Sequence, residues 1–326
     1  MSTTDASVSV PIVQEGANIE VDKAFVNIRE MRVHGAGRIA QLAAAALGDF
    51  TKSCPSKDRD DLYKCIIEAG EKLKSARPTA VSLPNAVNFV LLQTKEAYAN
   101  GSSIEGIRGA TISAAEQFVK ESAEAMTRIG EIGAKRIRNG DTILTHCNSE
   151  AAISVLKTAH DQGKGIKVFN TETRPKHQGH KTAVALAKHG IEVTMIVDSA
   201  VRLFMDDIDK VVVGADAITV NGAVVNKIGT SQIATLAHES RVKMMVAAET
   251  FKFNPQTIYG DLVEIEERDP TEVAPKELLD AYPALKIKNP VFDITPPEYI
   301  DLIITEKGLV PPAGVYLMMK DLFNIP

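Results

Sequence analysis

Two side chains in this sequence have the types and settings for proton-transfer chemistry. Cys147 lies in Thr145–Ser149 (THCNS), where an aliphatic run gives way to a helical pattern. Ser149 is a good helix N-cap there, and the free N–H groups of the following turn favour an anion. The same helix end predicts a lowered thiol pKa, toward a thiolate able to act as base or nucleophile. The bland alternative, a small buried hydrophobe, stays open. Asp216 lies in Gly214–Gly222 (GADAITVNG), just past another aliphatic run. Partial desolvation at a strand end would let it hold a proton; a turn or helix-cap Asp is the competing reading.

Around them lie elements suited to anions. His34–Gly37 (HGAG) interrupts helical pattern, and its glycines let backbone come close to a ligand. Arg77 stands beside Pro78, Asn226 and Lys227 precede a helix in NKIGT, and Lys252 sits in ETFKF (Glu249–Phe253). Each alone also reads as a break, turn or solvated loop. Together they point to an anionic ligand, for which two phosphates are one option.

The elements that must position these residues fall into two parts. Residues 1–20 read as a flexible tail. Residues 21–138 read as a helical domain, with helical spacing over Val21–Arg32, an Ala-rich stretch through Leu47, then Asp60–Leu73, Leu83–Tyr98, Ile104–Lys120 and Ala123–Arg138. From 139 to 326 short aliphatic runs alternate with helical segments. The runs are Thr142–His146, Ile166–Phe169, Glu192–Val197, Lys210–Val213, Val242–Ala247 and Leu302–Thr305. That alternation predicts a Rossmann-like, doubly wound parallel sheet, an α/β fold whose ligands bind beyond the carboxyl ends of the strands. Cys147 and Asp216 both follow such runs.

Composition narrows the function classes. The chain has 326 residues, 44% apolar and 24% charged, with net charge −5 and no Lys/Arg block, which argues against nucleic acid. No apolar run approaches the ~20 residues of a membrane span. Three cysteines without a CxxC pair argue against disulfides and structural zinc, and fit a reducing cytoplasm. His177 and His180 flank Gln-Gly in a polar stretch that reads as a plain loop, so no metal site is expected. No cofactor is required. A nicotinamide-dependent dehydrogenase would need GxGxxG after the first strand, where THCNSEA stands instead.

In combination these motifs, with Val263–Val273 (VEIEERDPTEV) and Asn289–Gly308 (NPVFDITPPEYIDLIITEKG), resemble one family over about residues 28–312. It contains archaeal ribose-1,5-bisphosphate isomerases, methylthioribose-1-phosphate isomerases and regulatory subunits of the translation-initiation exchange factor. The resemblance implies a helical domain on a Rossmann-like domain, and homo-oligomers, dimers or hexamers. It implies Cys147 as proton acceptor and Asp216 as proton donor. Substrate contacts would fall on His34, Gly35, Ala36, Gly37, Arg77, Ser149, Glu150, Ala151, Asn226, Lys227 and Lys252. Cys147 favours an enzyme over a non-catalytic regulatory subunit. SLPNA (Ser82–Ala86) and ETFKF look like the bisphosphate isomerase, and a charged Lys252 suits a second phosphate better than a methylthio group. AMP is implied as activator. Two positions depart from the pattern: His34 stands where the archaeal isomerases read Arg, and Glu150 where a basic residue belongs.

Overall fold

The computed structural model describes residues 19–33, 35–260 and 263–323. Five helices come first: α1 (Ile19–Arg29), α2 (Ala36–Ser53), α3 (Arg59–Ser75), α4 (Ser82–Ala99) and α5 (Ile104–Ala134). The expected tail lies outside the described residues, except that Ile19 and Glu20 already belong to α1. Local chemistry starts these helices. Asp58 caps α3 by accepting from the N–H groups of Asp60 and Asp61, and Ser103 caps α5 through Gly106. The stretches read separately as Ile104–Lys120 and Ala123–Arg138 form one helix, α5, which ends at Ala134. No Pro stands between them to break it.

The second part follows in the order β1 (Thr142–Thr145), α6 (Glu150–Asp161), β2 (Lys167–Thr171), α7 (Gln178–Ala187), β3 (Glu192–Ile196), α8 (Val201–Phe204), β4 (Lys210–Val213), β5 (Ala217–Ile218), β6 (Val224–Lys227), α9 (Thr230–Glu239), β7 (Lys243–Ala247), α10 (Lys276–Ala281), β8 (Phe292–Thr295), β9 (Leu302–Thr305), β10 (Gly308–Val310) and α11 (Val315–Phe323). Seven strands make one sheet in the order β10-β9-β7-β4-β1-β2-β3, parallel except for β10, which turns back on β9. The chain winds outward from β1 through β2 to β3, then returns and winds the other way from β4 through β7 to β9. The direction reverses between β1 and β4, which pair Ile143 with Lys210 and Leu144 with Val211. Outside the carboxyl ends of strands at such a reversal lies the crevice where open α/β sheets bind ligands.

Alternate strand residues feed opposite faces, as the pleat requires. Val211 and Val213 join Leu144 and Val246 in one core, while Val212 joins Ile143, Val168 and Ile304 in the other. A third core lies within the helical part. Helix α5, about 46 Å long at ~1.5 Å per residue, links the parts: Ile107 and Phe118 enter the helical core, Ile129 and Ala134 the sheet core. Its glycines allow this. A Cβ on Gly130 would stand 2.5 Å from Ser154 Oγ, and one on Gly133 2.5 Å from Val155 Cγ2, both on α6.

A second, antiparallel sheet, β5-β6-β8, was not foreseen. It sits on the run from Asp216 to Lys227 and fixes both ends of that run: the Asp216 N–H donates to Val225 O at 2.9 Å, and Lys227 pairs with Phe292.

Candidate active site

Strand β1 delivers Cys147 into the crevice at the switch point. Ser149 then caps α6, its Oγ accepting from the Ala152 N–H at 3.2 Å. Gly214, at the end of β4, lets Ser149 come close, since a Cβ there would stand 2.3 Å from Ser149 Oγ. Between them the backbone of Cys147 is left-handed, with φ 65. A non-glycine residue there costs of order 1–3 kcal/mol and persists only where its neighbours enforce the shape. They do: the Cys147 N–H donates to Thr173 Oγ1 at 3.0 Å, and Thr182 Oγ1 donates to the Cys147 carbonyl at 2.7 Å.

His146 anchors the same turn. Its Nε2 lies 2.9 Å from the Ile228 carbonyl and its Nδ1 2.6 Å from Thr171 Oγ1. A carbonyl can only accept, so Nε2 carries the proton and Nδ1 accepts from the threonine. Burial pushes the ring down to about 4, so it is a neutral structural clamp. Gly229, with φ +103, lies against this ring; a Cβ there would stand 3.2 Å from His146 Cε1.

Twelve of the thirteen residues predicted for the site line one cavity of about 660 Å³: Cys147, Asp216, Gly35, Ala36, Gly37, Arg77, Ser149, Glu150, Ala151, Asn226, Lys227 and Lys252. His34 lies outside the described residues. Gly35–Gly37 open α2, where Gly35 is the N-cap with no side-chain cap, so first-turn N–H groups remain for an anion. Ser149–Ala151 supply the start of α6. A second cavity, of about 740 Å³, opens between α4, α5 and residues 250–251, lined in part by Phe89, Phe118 and Phe251. Neither Cys147 nor Asp216 reaches it.

One expectation is corrected. The helix end does not lower the thiol pKa: burial pushes Cys147 up to about 11, against the pull of Lys227 and the Asn148 N–H. Cys147 precedes the N-cap by two residues, and the Ser149 side chain takes the Ala152 N–H of the first turn for itself. The opposing cation is Lys227, whose ammonium burial pushes down while Cys147 and Asp216 draw it up. These three groups therefore share one electrostatic environment at the cavity floor.

The cations are held in pairs. Arg77 Nη2 is 2.8 Å from Glu266 Oε2, and Arg268 Nε is 3.0 Å from Glu266 Oε1. Burial raises the Glu266 carboxyl, but the two guanidinium groups outweigh it and hold it below the usual range. One carboxylate against two arginines leaves a net positive charge. Lys252 Nζ is 2.8 Å from Glu249 Oε2. Burial pushes this ammonium down, yet Glu249, Asp216 and Glu150 together hold it above the ordinary lysine range. Glu150, out of place in the motif, pairs with Arg38, so its charge is offset at the cavity rim.

The start of α9 is already occupied. Asp293 Oδ2 accepts from the N–H groups of Gly229 at 2.7 Å and Ser231 at 3.1 Å, although burial pushes its carboxyl up to about 6. Asn226 donates to Thr230 Oγ1 at 2.9 Å. In NKIGT, then, the backbone N–H groups of Gly229 and Ser231 are taken, while Lys227 and the remaining amide capacity of Asn226 face the cavity. Sequence reasoning missed Arg38, His146 and Arg268, which also line the cavity. Each stood inside or next to a quoted motif, but nothing in the spacing told which way it pointed.

Fold and site together define a class: an α/β protein with a candidate proton-transfer pair at the switch point of a parallel sheet, in a cavity that the helical part also lines. The model of the Initiation factor 2 subunit family, IF-2B, matches residues 32–312, and the chain belongs to this family. The ribose 1,5-bisphosphate isomerase of Methanocaldococcus jannaschii is 54% identical to it over 304 residues, 93% of this chain and 96% of that relative. The methylthioribose-1-phosphate isomerase of Acetivibrio thermocellus is 38% identical over 313 residues, 92% and 90% of the two chains. The crystal structure of translation initiation factor eIF-2B from Pyrococcus horikoshii aligns with a TM-score of 0.76 at 32% identity, covering 90% of this chain and 98% of that one. The family resemblance of the motifs is thus borne out. Among the described residues no helix is long and apolar enough to cross a membrane.

Proposed function

We propose that the protein is an aldose–ketose isomerase that converts α-D-ribose 1,5-bisphosphate to D-ribulose 1,5-bisphosphate. One observation carries the reading: Cys147 and Asp216, from strands on either side of the switch point, open into a single cavity that also holds Arg77, Lys227, Lys252 and Arg268. The 54% identity to a chain named for this reaction, against 38% to one named for the methylthio substrate, supports the choice of sugar. So does the buried Lys252, since a methylthio group gains nothing from an ammonium.

In the mechanism, Asp216 donates a proton to the ring oxygen as the C1–O bond breaks. The minor thiolate form of Cys147, which Lys227 favours, takes the proton from C2, leaving an enol phosphate. The C2 hydroxyl then returns a proton to Asp216, Cys147 returns one to C1, and the ketone forms at C2. Both groups end as they began. Gly35–Gly37 and the start of α6 offer N–H groups to phosphates, with Arg77 and Lys252 supplying charge. AMP as activator, action in nucleotide breakdown, a cytoplasmic location and assembly as dimers or hexamers belong to the same proposal.

The test is a product assay on purified protein with each substrate offered separately, with and without AMP. Wild type should form ribulose 1,5-bisphosphate, and Cys147→Ser and Asp216→Asn should each lose about 10²–10⁴-fold in turnover. Turnover of the methylthio sugar instead would move the substrate and keep the chemistry. Phosphate binding with no turnover of either would leave a regulatory subunit.

A further inference from the structure

We propose that Glu172, His177 and His180 bind one divalent transition-metal ion, of the zinc class, beside the catalytic cavity. The sequence alone reads HQGH as a plain loop. In the structure His177 is the N-cap of α7 and His180 lies in its first turn. Gly179 sets the geometry: a Cβ there would stand 1.8 Å from the Thr171 carbonyl, so α7 presses directly on the end of β2. Glu172, the next residue of that strand end, is pinned by its N–H to Ile196 O at 2.9 Å and its carbonyl to the Gly179 N–H at 3.1 Å. The two histidines are thereby brought over the carboxylate.

One ligand atom from each of the three side chains lies within 4.8 Å of the others. Among the described residues no other group of three His, Cys, Asp or Glu side chains converges in this way. The second observation is independent of proximity. His177 Nδ1 is buried without a hydrogen-bond partner, and Glu172 Oε2 is 3.4 Å from it. Arg174 can only donate to Nε2, so in this state the Nδ1–H faces the Glu172 carboxylate across a 3.4 Å gap, too long for a good hydrogen bond, which a bound metal ion would close. Two imidazole nitrogens and one carboxylate oxygen suit zinc, cobalt, nickel or iron; calcium and magnesium prefer all-oxygen shells. Three protein ligands leave further positions to water.

The neighbouring charges are compatible with this. Arg174 Nη1 lies 3.2 Å from His177 Nε2, on the far side of the ring from Glu172. It is exposed and can withdraw into solvent when the proton moves to Nε2. Lys176 is paired with Glu272 at 2.9 Å. The Asp198 carboxylate is taken by the N–H groups of Thr173 and Arg174. The segment between the ligands bears on catalysis: Thr173 holds the Cys147 N–H, and Gln178 lines the catalytic cavity. An ion clamping Glu172 to His177 would stiffen the support of Cys147.

The test is calorimetric titration of zinc sulfate into the chelator-treated full-length chain. Saturable one-to-one binding in the micromolar range is expected, with a zinc-dependent rise in melting temperature. His180→Ala, at an exposed position that leaves packing intact, should weaken binding about tenfold or more, and Glu172→Gln should do the same. Cobalt(II) in place of zinc should show ligand-field bands of nitrogen and oxygen ligation. Absence of saturable binding in wild type would overturn the proposal. So would binding unchanged in both variants, or a cobalt spectrum dominated by thiolate charge transfer, which would place the ion on the cysteines.

Discussion

At Cys147 two opposing effects meet, and their magnitudes decide the state of the resting enzyme. Burial alone favours the thiol, Lys227 favours the thiolate, and burial prevails at about 11. Alkylation of Cys147 by iodoacetamide, in a chain with Cys54 and Cys65 changed to Ser, should therefore rise about tenfold per pH unit from pH 8 to 10. Lys227→Gln removes the main charge favouring the thiolate, so its curve should move to higher pH. An unchanged curve would show that Lys227 does not support the base. Arg38 answers a different question. Arg38→Ala leaves the Glu150 carboxylate without its partner at the rim, so the KM for a bisphosphate should rise severalfold with kcat little changed. Adding Glu150→Gln should restore it.

Among the elements, the seam between α5 and α6 carries the clearest prediction. Gly130→Ala gains up to about 1 kcal/mol of helix propensity. It also drives a Cβ to 2.5 Å from Ser154 Oγ, 2.6 Å from Thr158 Oγ1 and 3.1 Å from the Ser154 carbonyl. Overpacking of that kind costs about 1–3 kcal/mol, and with backbone among the obstacles the cost wins. Denaturant unfolding should show a net loss, and substrate KM should rise as α5 tilts the helical layer. The parallel strands of this part were legible because runs such as Lys210–Val213 are β-branched and bounded by helical pattern. The small second sheet was not, because Ala217–Ile218 is too short to show a period and Phe292–Thr295 lies far along the chain from its partner β6. Twelve of the cavity's members were legible through their motifs, but Arg38, His146 and Arg268 were not, because spacing does not tell which way a side chain points. The direction of the Cys147 shift was not, since it depends on how deeply β2, α7 and the Asn226–Thr230 turn bury the thiol.

For the molecule as a whole, acid stability should turn on two neighbours around Ile228 and Gly229. His146, depressed from 6.5 to about 4, contributes stability that is complete above pH 6.5 and lost as the pH falls toward 4. Asp293, raised from 3.8 to about 6, contributes with the opposite sense: its stability is present below 3.8 and lost as the pH rises through 6. Shifts of two units or so are each worth about 3 kcal/mol, so the two largely offset each other between pH 4 and 6. Asp293→Asn should expose the histidine, giving a melting temperature that drops more steeply on acidification than that of wild type. His146→Gln should do the reverse. Parallel profiles in all three proteins would reject this account.

The cavity is walled by both layers of the fold. Gly35–Gly37, Arg38 and Arg77 come from the helices, Cys147 and Asp216 from the sheet. In inheritance this makes address and chemistry separable traits. Substitutions at Gly35–Gly37, Arg38 and Arg77 can alter part of the ligand's surroundings in a descendant while Cys147 and Asp216 pass on unaltered. Loss of Cys147 alone can turn a descendant into a sensor that still recognises the old ligand.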